Sequence, residues 1–358
     1  MARSPWILML AVAVACGAAA AAENKAETTL VYPCSRATQP VQIDGKLDPQ
    51  EWAAAVKVGG FTISGADRLA PEQVAMRLLF DDRYLYLGVK CYESNMKKLK
   101  TSARVTDGAF WCDDSIEFFI DANHDHETYW QFAATAIAVR YDNMQGDSTW
   151  NSAWRAAAQR DADAWSVEAA IPFADLKQTA PKSGAIWGFN LCRERQAGGS
   201  LELYNWANVE RVFNRAYLFG HLYFVPAQWT PTEAGLSDAR KAEGKETRVF
   251  VNDGYWRLTA GSKPSLVTYR EILRGQEVSA AGYLTELRPI YQKRPKLAYR
   301  KDFDKLNNAY EDAQNVIKAD TPIDAEKCAQ VRAFLDALPE KSENLYWRVR
   351  LAELNEKL

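Results

Sequence analysis

Residues 74–93 read "VAMRLLFDDRYLYLGVKCYE", two alternating apolar runs that meet at Asp81-Asp82-Arg83. Val74, Met76, Leu78 and Phe80 alternate with Ala75, Arg77 and Leu79. Beyond the break, Tyr84, Tyr86 and Gly88 alternate with Leu85, Leu87 and Val89. Successive strand side chains point to opposite faces, so a period of two marks strands with one face in a core. A short polar break between two such runs marks a hairpin. The same pattern continues downstream in "SIEFFID" (115–121), "TYWQFAATAIAV" (128–139), "AWRAAAQR" (153–160), "WSVEAAI" (165–171) and "IWGFNLCRER" (186–195). Many short strands separated by turns predict a mainly β chain, an antiparallel β-sandwich of jelly-roll-like form over residues 28–226. A unit of that length is large enough for its own core.

After Pro226 the character changes. Residues 227–247, beginning "AQWTPTEAG", read as a linker, and "TRVFVNDGYWRLT" (247–259) as a last hairpin. The rest of 248–358 is a smaller α-helical C-terminal region. Phe303, Leu306, Tyr310, Ala313 and Ile317 fall on one helical face. A next helix starts at Thr321-Pro322 with a stripe of Cys328, Val331, Leu335 and Leu338. Ser342 caps a last one, with Trp347, Leu351, Leu354 and Leu358 in line. This region has no Gly-rich loop and no His cluster.

The N-terminus predicts export. Arg3 precedes the apolar run "WILMLAVAVACGAAAAA" and acidic Glu23, so residues 1–22 read as a signal peptide cleaved after Ala22. Cys16 in "AVAC" resembles a lipoprotein box and offers a lipid anchor as the alternative. No later run reaches the roughly 20 apolar residues of a spanning helix. With 44 Lys and Arg against 46 Asp and Glu, the chain has no electrostatic case for nucleic acid. Export permits disulfides among Cys34, Cys91, Cys112, Cys192 and Cys328, but five is odd and no pair is spaced CxxC.

The chemistry concentrates in "FWCDDSIEFFIDANHDHETYWQF", residues 110–132. Asp113, Asp114, Glu117 and Asp121 could supply the two acids of a glycoside hydrolase, but such acids must converge from different environments. Glu117 and Asp121 share a strand face with Phe119 between them. Asp121, Asn123, Asp125 and Glu127 alternate like the oxygen ligands of a calcium loop, although His126 stands where an EF-hand has Gly. His124 and His126 lack a third nitrogen or sulfur ligand nearby in sequence, which disfavours zinc. Trp165 and Trp187 sit in apolar strands and read as core. Trp111 ("GAFWCDD") and Trp206 ("LYNWANVE") stand in polar settings, where a flat indole suits the C–H face of a sugar ring.

Six blocks in order, "IDGKLDPQEW", "FDDRYLYLGV", "WCDDSIEFFID", "YWQFAATA", "WSVEAAIPFADL" and "IWGFNLCRER", resemble family 9 carbohydrate-binding modules over Val41 to Val225. The resemblance implies a secreted, non-catalytic carbohydrate-binding protein in which two tryptophans sandwich a terminal sugar. Trp111 stands in the first platform's place and Trp206 in the second's. Glu117 and Gln131 match the groups that bond sugar hydroxyls, with Arg140, Asn143 and Asn205 as further polar contacts. The late loop "GGSLELYNWANVERVFNRAYLFG" departs from the family's pattern. The resemblance also implies structural calcium, for which the Asp121 loop is the candidate. The competing class is a glycoside hydrolase working through Asp/Glu pairs, for which the helical region is too short to add a typical catalytic barrel. A haem-binding electron-transfer reading would need His221 and Met144 together.

Overall fold

The computed structural model describes residues 28–240 and 245–356. The signal segment, Cys16 and Leu358 lie outside them. The chain is mainly β, with its helices mostly C-terminal. It opens with β1 (Thr28–Arg36) and the short β2 (Thr62–Ile63), followed by the hairpin of β3 (Val74–Phe80) and β4 (Tyr84–Tyr92). Then come β5 (Ser115–Asp121), β6 (Trp130–Thr135) and β7 (Arg140–Met144), an antiparallel meander. Next are β8 (Arg155–Arg160), β9 (Ala164–Pro172), β10 (Ile186–Arg195), β11 (Glu202–Asn205) and β12 (Gly220–Val225).

These strands hydrogen-bond in the order β7-β6-β5-β10-β12-β1-β3-β4-β9-β8, with β11 on β10. The pairing is not purely antiparallel as the sequence suggested. β1 runs parallel to β12 over Val31–Ser35 and parallel to β3 at Ser35–Arg36. The path curls back on itself, because both ends feed one core. Val74, Met76, Leu78 and Phe80 of β3 share it with Ile116, Phe118 and Ile120 of β5 and Val167, Ala169 and Ile171 of β9. Trp165 and Trp187 lie in this core. The alternation decides which side chains enter: on β5 the residues between the core positions, Glu117, Phe119 and Asp121, face outward from it.

The expected linker is packed structure. It carries α1 (Glu233–Ala239), whose Leu236 and Ala239 bury against Val31, Tyr223, Val225 and Leu258. The following β13 (Glu246–Val251) and β14 (Gly254–Thr259) form a hairpin, and β13 adds in parallel to the start of β1. β15 (Ser265–Thr268) leads through a capping box, Thr268 with Glu271, into α2 (Tyr269–Ala280). α3 (Leu284–Lys293), α4 (Arg300–Lys318) and α5 (Ala325–Asn355) complete a second core. One helix of 31 residues replaces the two expected here: Asp324 caps it and Pro339 lies inside it. Ser342 is no cap. It is buried, donates to the Pro339 carbonyl and accepts from the Tyr283 N–H. The stripe expected to be buried is exposed at Trp347, Leu351 and Leu354, while Leu345 and Val349 face the core. The acidic first turn of α5 meets the sheet through Lys57, which pairs with Asp324 at 2.6 Å and Glu326 at 2.9 Å.

Candidate functional site

Partners directly opposite in a sheet share a face, so the register assembles the outward face residue by residue. Glu117 lies opposite Ala133 and Cys192; Phe119 lies opposite Gln131 and Asn190; Gln131 in turn faces Asn143, and Ala133 faces Tyr141. Asn205 joins this face from β11, opposite Cys192. The register therefore brings Glu117, Gln131, Asn143 and Asn205 to one surface of the sheet.

Two separate hydrogen-bonded pairs form on it. The Gln131 amide donates to the Glu117 carboxyl, and Asn143 Nδ2 donates to the Tyr141 hydroxyl at 3.2 Å. Burial pushes the Glu117 carboxyl up to about 8, with the charge of Glu194 adding to the effect and the Gln131 bond opposing it. Glu194 is likewise raised by burial, while Ser115 Oγ donates to it at 2.7 Å. At neutral pH Glu117 is thus a neutral acid, able both to donate and to accept.

Trp111 sits at the rim of this face, in the 3₁₀ turn Phe110–Cys112, and is 50% exposed. Its ring stacks edge-on to Phe110 at 5.4 Å, and Phe110 lies 4.8 Å from Tyr141. Asp113 and Asp114, weighed from sequence as catalytic acids, hold this turn in place. Both are fully buried. Asp113 accepts the Ser102 and Ala103 amides, and Asp114 those of Lys100, Gln196 and Ala197. Gln196 then donates to the Trp111 carbonyl at 3.0 Å.

Several expected site residues fall elsewhere. Trp206 follows Asn205 and so points the opposite way, into the core, 3% exposed between Phe189 and Phe250. It cannot be the second exposed platform. Arg140 lies opposite Ala134, on the core side of the meander edge; it donates to the Trp154 carbonyl and covers the Trp154 ring at 5.8 Å. Asn205 has the right face but no exposure, because the late loop folds over the middle of that face. Val209, Ala216, Leu218 and Phe219 pack there on Phe119 and Cys192.

The Asp121 loop does not fit the calcium shell that the sequence suggested. Asp121 is buried, and its two oxygens accept the amides of Asp125 and His126. The Asp125 carboxylate takes the Glu127 and Thr128 amides, the Thr128 hydroxyl and the Asn123 side chain. The loop is closed by donors to its own carboxylates, and Asp121, Asp125 and Glu127 do not gather as a group. Among the described residues, the one group of metal-ligating type is His124, His126 and His221. Met144 pairs with Trp130 on the core side of the sheet, whereas His221 lies in register with Gly188 and Val31 on the other face, so the two do not meet. All five described cysteines are free thiols, with Cys34, Cys91, Cys192 and Cys328 buried and Cys112 exposed.

Sequence reasoning missed Tyr141, Glu194 and Gln196. A signal was present for the first two: Tyr141 has the parity of Asn143 in "RYDNM", and Glu194 that of Cys192 in "NLCRER". Nothing local marked Gln196.

A mainly β chain with an exposed indole at the rim of a hydrogen-bonded polar face is organised as a binding domain. The chain belongs to the family described as carbohydrate family 9 binding domain-like, whose model matches residues 43–226. It is 31% identical over 152 residues to endo-1,4-beta-xylanase A of Thermoanaerobacterium saccharolyticum and 29% identical over 152 residues to exoglucanase XynX of Acetivibrio thermocellus. Each match covers 42% of this chain but only 12% and 13% of those much longer proteins. Among solved structures, a family 9 carbohydrate-binding module from Caldicellulosiruptor kristjanssonii in complex with cellotriose is similar at 19% identity and a TM-score of 0.43, covering 56% of this chain and 98% of that one. Among the described residues no helix is long and apolar enough to cross a membrane.

Proposed function

We propose that this is an exported, non-catalytic carbohydrate-binding protein, with the curled sheet acting as a sandwich scaffold for a sugar site. The observation that carries the reading is Trp111, half exposed at the rim and connected through Phe110 to the Asn143–Tyr141 pair. The indole stacks on the C–H face of a pyranose, and the polar pairs at the rim bond its hydroxyls. Glu117 is 6% exposed and acts from beneath, its carboxyl accepting from the less buried Gln131 amide and orienting that amide toward the ligand. Membership of a carbohydrate-binding family supports the reading. The signal-like segment 1–22 supports export.

The experiment is calorimetric titration with the saccharide selected on a glycan array. Trp111→Ala should remove most of the affinity, about 2 kcal/mol or more, roughly thirtyfold. Glu117→Gln should cost less than about 1 kcal/mol, because the amide also donates and accepts. Wild-type affinity in a folded Trp111→Ala variant would move the site off this face.

The hydrolase alternative draws on one observation, the paired Glu117 and Glu194 on one face with the first strongly raised. Both are nearly closed to solvent, at 6% and 7% exposure, which leaves little room for a scissile bond and a water. Release of reducing sugar from xylan or cellulose that is abolished by Glu117→Gln would revive it.

A further inference from the structure

The chain contains three histidines, and all three meet at one point. His124 and His126 come from the loop after β5, and His221 from β12, far along the chain. Their ligand nitrogens lie within 4.8 Å of one another. The His124 ring is 4.5 Å from that of His126 and 4.7 Å from that of His221. A buried residue touches only about 6–12 others, so a chance meeting of every histidine in the chain is improbable.

Three features build this convergence. His221, Gly188 and Asp121 form one row across β12, β10 and β5. Gly188 leaves the space between the outer two empty, and a Cβ there would meet Asp121 Cβ at 2.9 Å. Asp121, accepting the Asp125 and His126 amides, folds the loop back over its own strand toward that gap. Within the loop, His124 and His126 both adopt left-handed backbone, φ 54° and 63°, and their rings lie against each other. His221 is 4% exposed, and its Nδ1 is buried without a hydrogen-bond partner. A buried polar nitrogen without a partner is a rarity that calls for a ligand.

We propose that His124, His126 and His221 form a binding site for a zinc-type divalent metal ion, which staples the 122–129 loop to β12. Three imidazole nitrogens are a borderline-soft donor set, suited to zinc, copper or nickel and not to calcium. Tetrahedral zinc with Zn–N near 2.0–2.1 Å sets its nitrogens about 3.3 Å apart, so nitrogens that lie within 4.8 Å of one another close by up to about 1.5 Å on binding. His221 is fixed on a strand, and the half-buried His124 and His126 supply that movement. Their partial exposure leaves the fourth position to water, the arrangement of an open three-ligand zinc site. The site lies on the same outward face of the sheet but about 13 Å along β5 from the proposed sugar site, Glu117 to Asp121 at roughly 3.3 Å per residue, and it does not depend on that reading.

The test uses the full-length chain without a histidine tag, stripped with chelator. Titration with Zn2+ should show one site of micromolar or tighter affinity, and Co2+ should give the intense visible bands of a four-coordinate ion. His124→Ala and His126→Ala, both on the loop surface, should each weaken Zn2+ at least tenfold with the fold retained. With only three histidines in the protein, side-chain nitrogen NMR should show all three imidazoles shifting on Zn2+ addition, which reads His221 without mutating a buried residue. The proposal is overturned if Zn2+ binds unchanged in both loop variants, if the His221 signals stay fixed, or if Ca2+ binds and Zn2+ does not.

Discussion

Glu117→Gln separates a raised carboxyl from the rest of the fold. In the folded chain the Glu117 carboxyl is pushed from its ordinary 4.5 up to about 8, chiefly by burial and then by Glu194. Between those values the folded state keeps a proton that the unfolded state has released. Stability therefore falls as pH rises through the window, by about 1.4 kcal/mol per pH unit. The contribution is fully present below pH 4.5 and fully lost above pH 8. By about pH 7 the loss amounts to about 3 kcal/mol, an order-of-magnitude figure. The amide that replaces the carboxyl cannot titrate, and its carbonyl still accepts from Gln131. Denaturant melts of wild type and variant at about pH 4.5, 7 and 8.5 measure the difference, in which other titrating groups cancel. The variant should match wild type at the lowest pH and exceed it increasingly toward the highest. A stability difference that stays constant across that range would refute the assignment of a buried, protonated Glu117.

Other changes test the placement of residues. Trp206→Ala should destabilise by about 3–5 kcal/mol in thermal or chemical melts, as for a core tryptophan; unchanged stability would return it to the surface. Glu93 accepts from Arg193 at 3.0 Å and from Arg195 at 2.7 Å, with the Arg193 and Glu93 side chains fully buried. Glu93→Ala leaves the buried Arg193 without a carboxylate partner, while Arg195 keeps Glu202 at 2.6 Å, and a loss of about 3–5 kcal/mol is expected in denaturant melts. Gly188→Ala should cost about 1–3 kcal/mol by the same assay through its clash with Asp121, and it should weaken Zn2+ binding as the loop is pushed away from His221.

Local pattern determined a good deal of this protein. The period-two runs around Asp81-Asp82-Arg83 became β3 and β4 in register from Val74↔Cys91 to Phe80↔Leu85, because alternation and a polar turn are properties of neighbouring residues. The shared parity of Glu117 and Asp121, and the exposure of Trp111 in its polar setting, were legible for the same reason. What the sequence alone did not decide depended on residues far apart in the chain. Trp206 stands in a polar stretch, but its place one residue past Asn205 at the end of β11, and the sheet that β11 joins, turn it into the core. Asn205 has its face and loses its exposure to a loop that only the folded chain lays over it. Asp121 and Asp125 alternate like calcium ligands, yet the folded loop supplies amide donors to their oxygens. His124 and His126 lack a third partner in any local window. β12 brings His221 beside them, through a parallel pairing with β1 and a glycine on β10 whose missing side chain leaves the gap. Short-range spacing records which face a residue takes, but only tertiary structure decides what lies across from that face and whether solvent still reaches it.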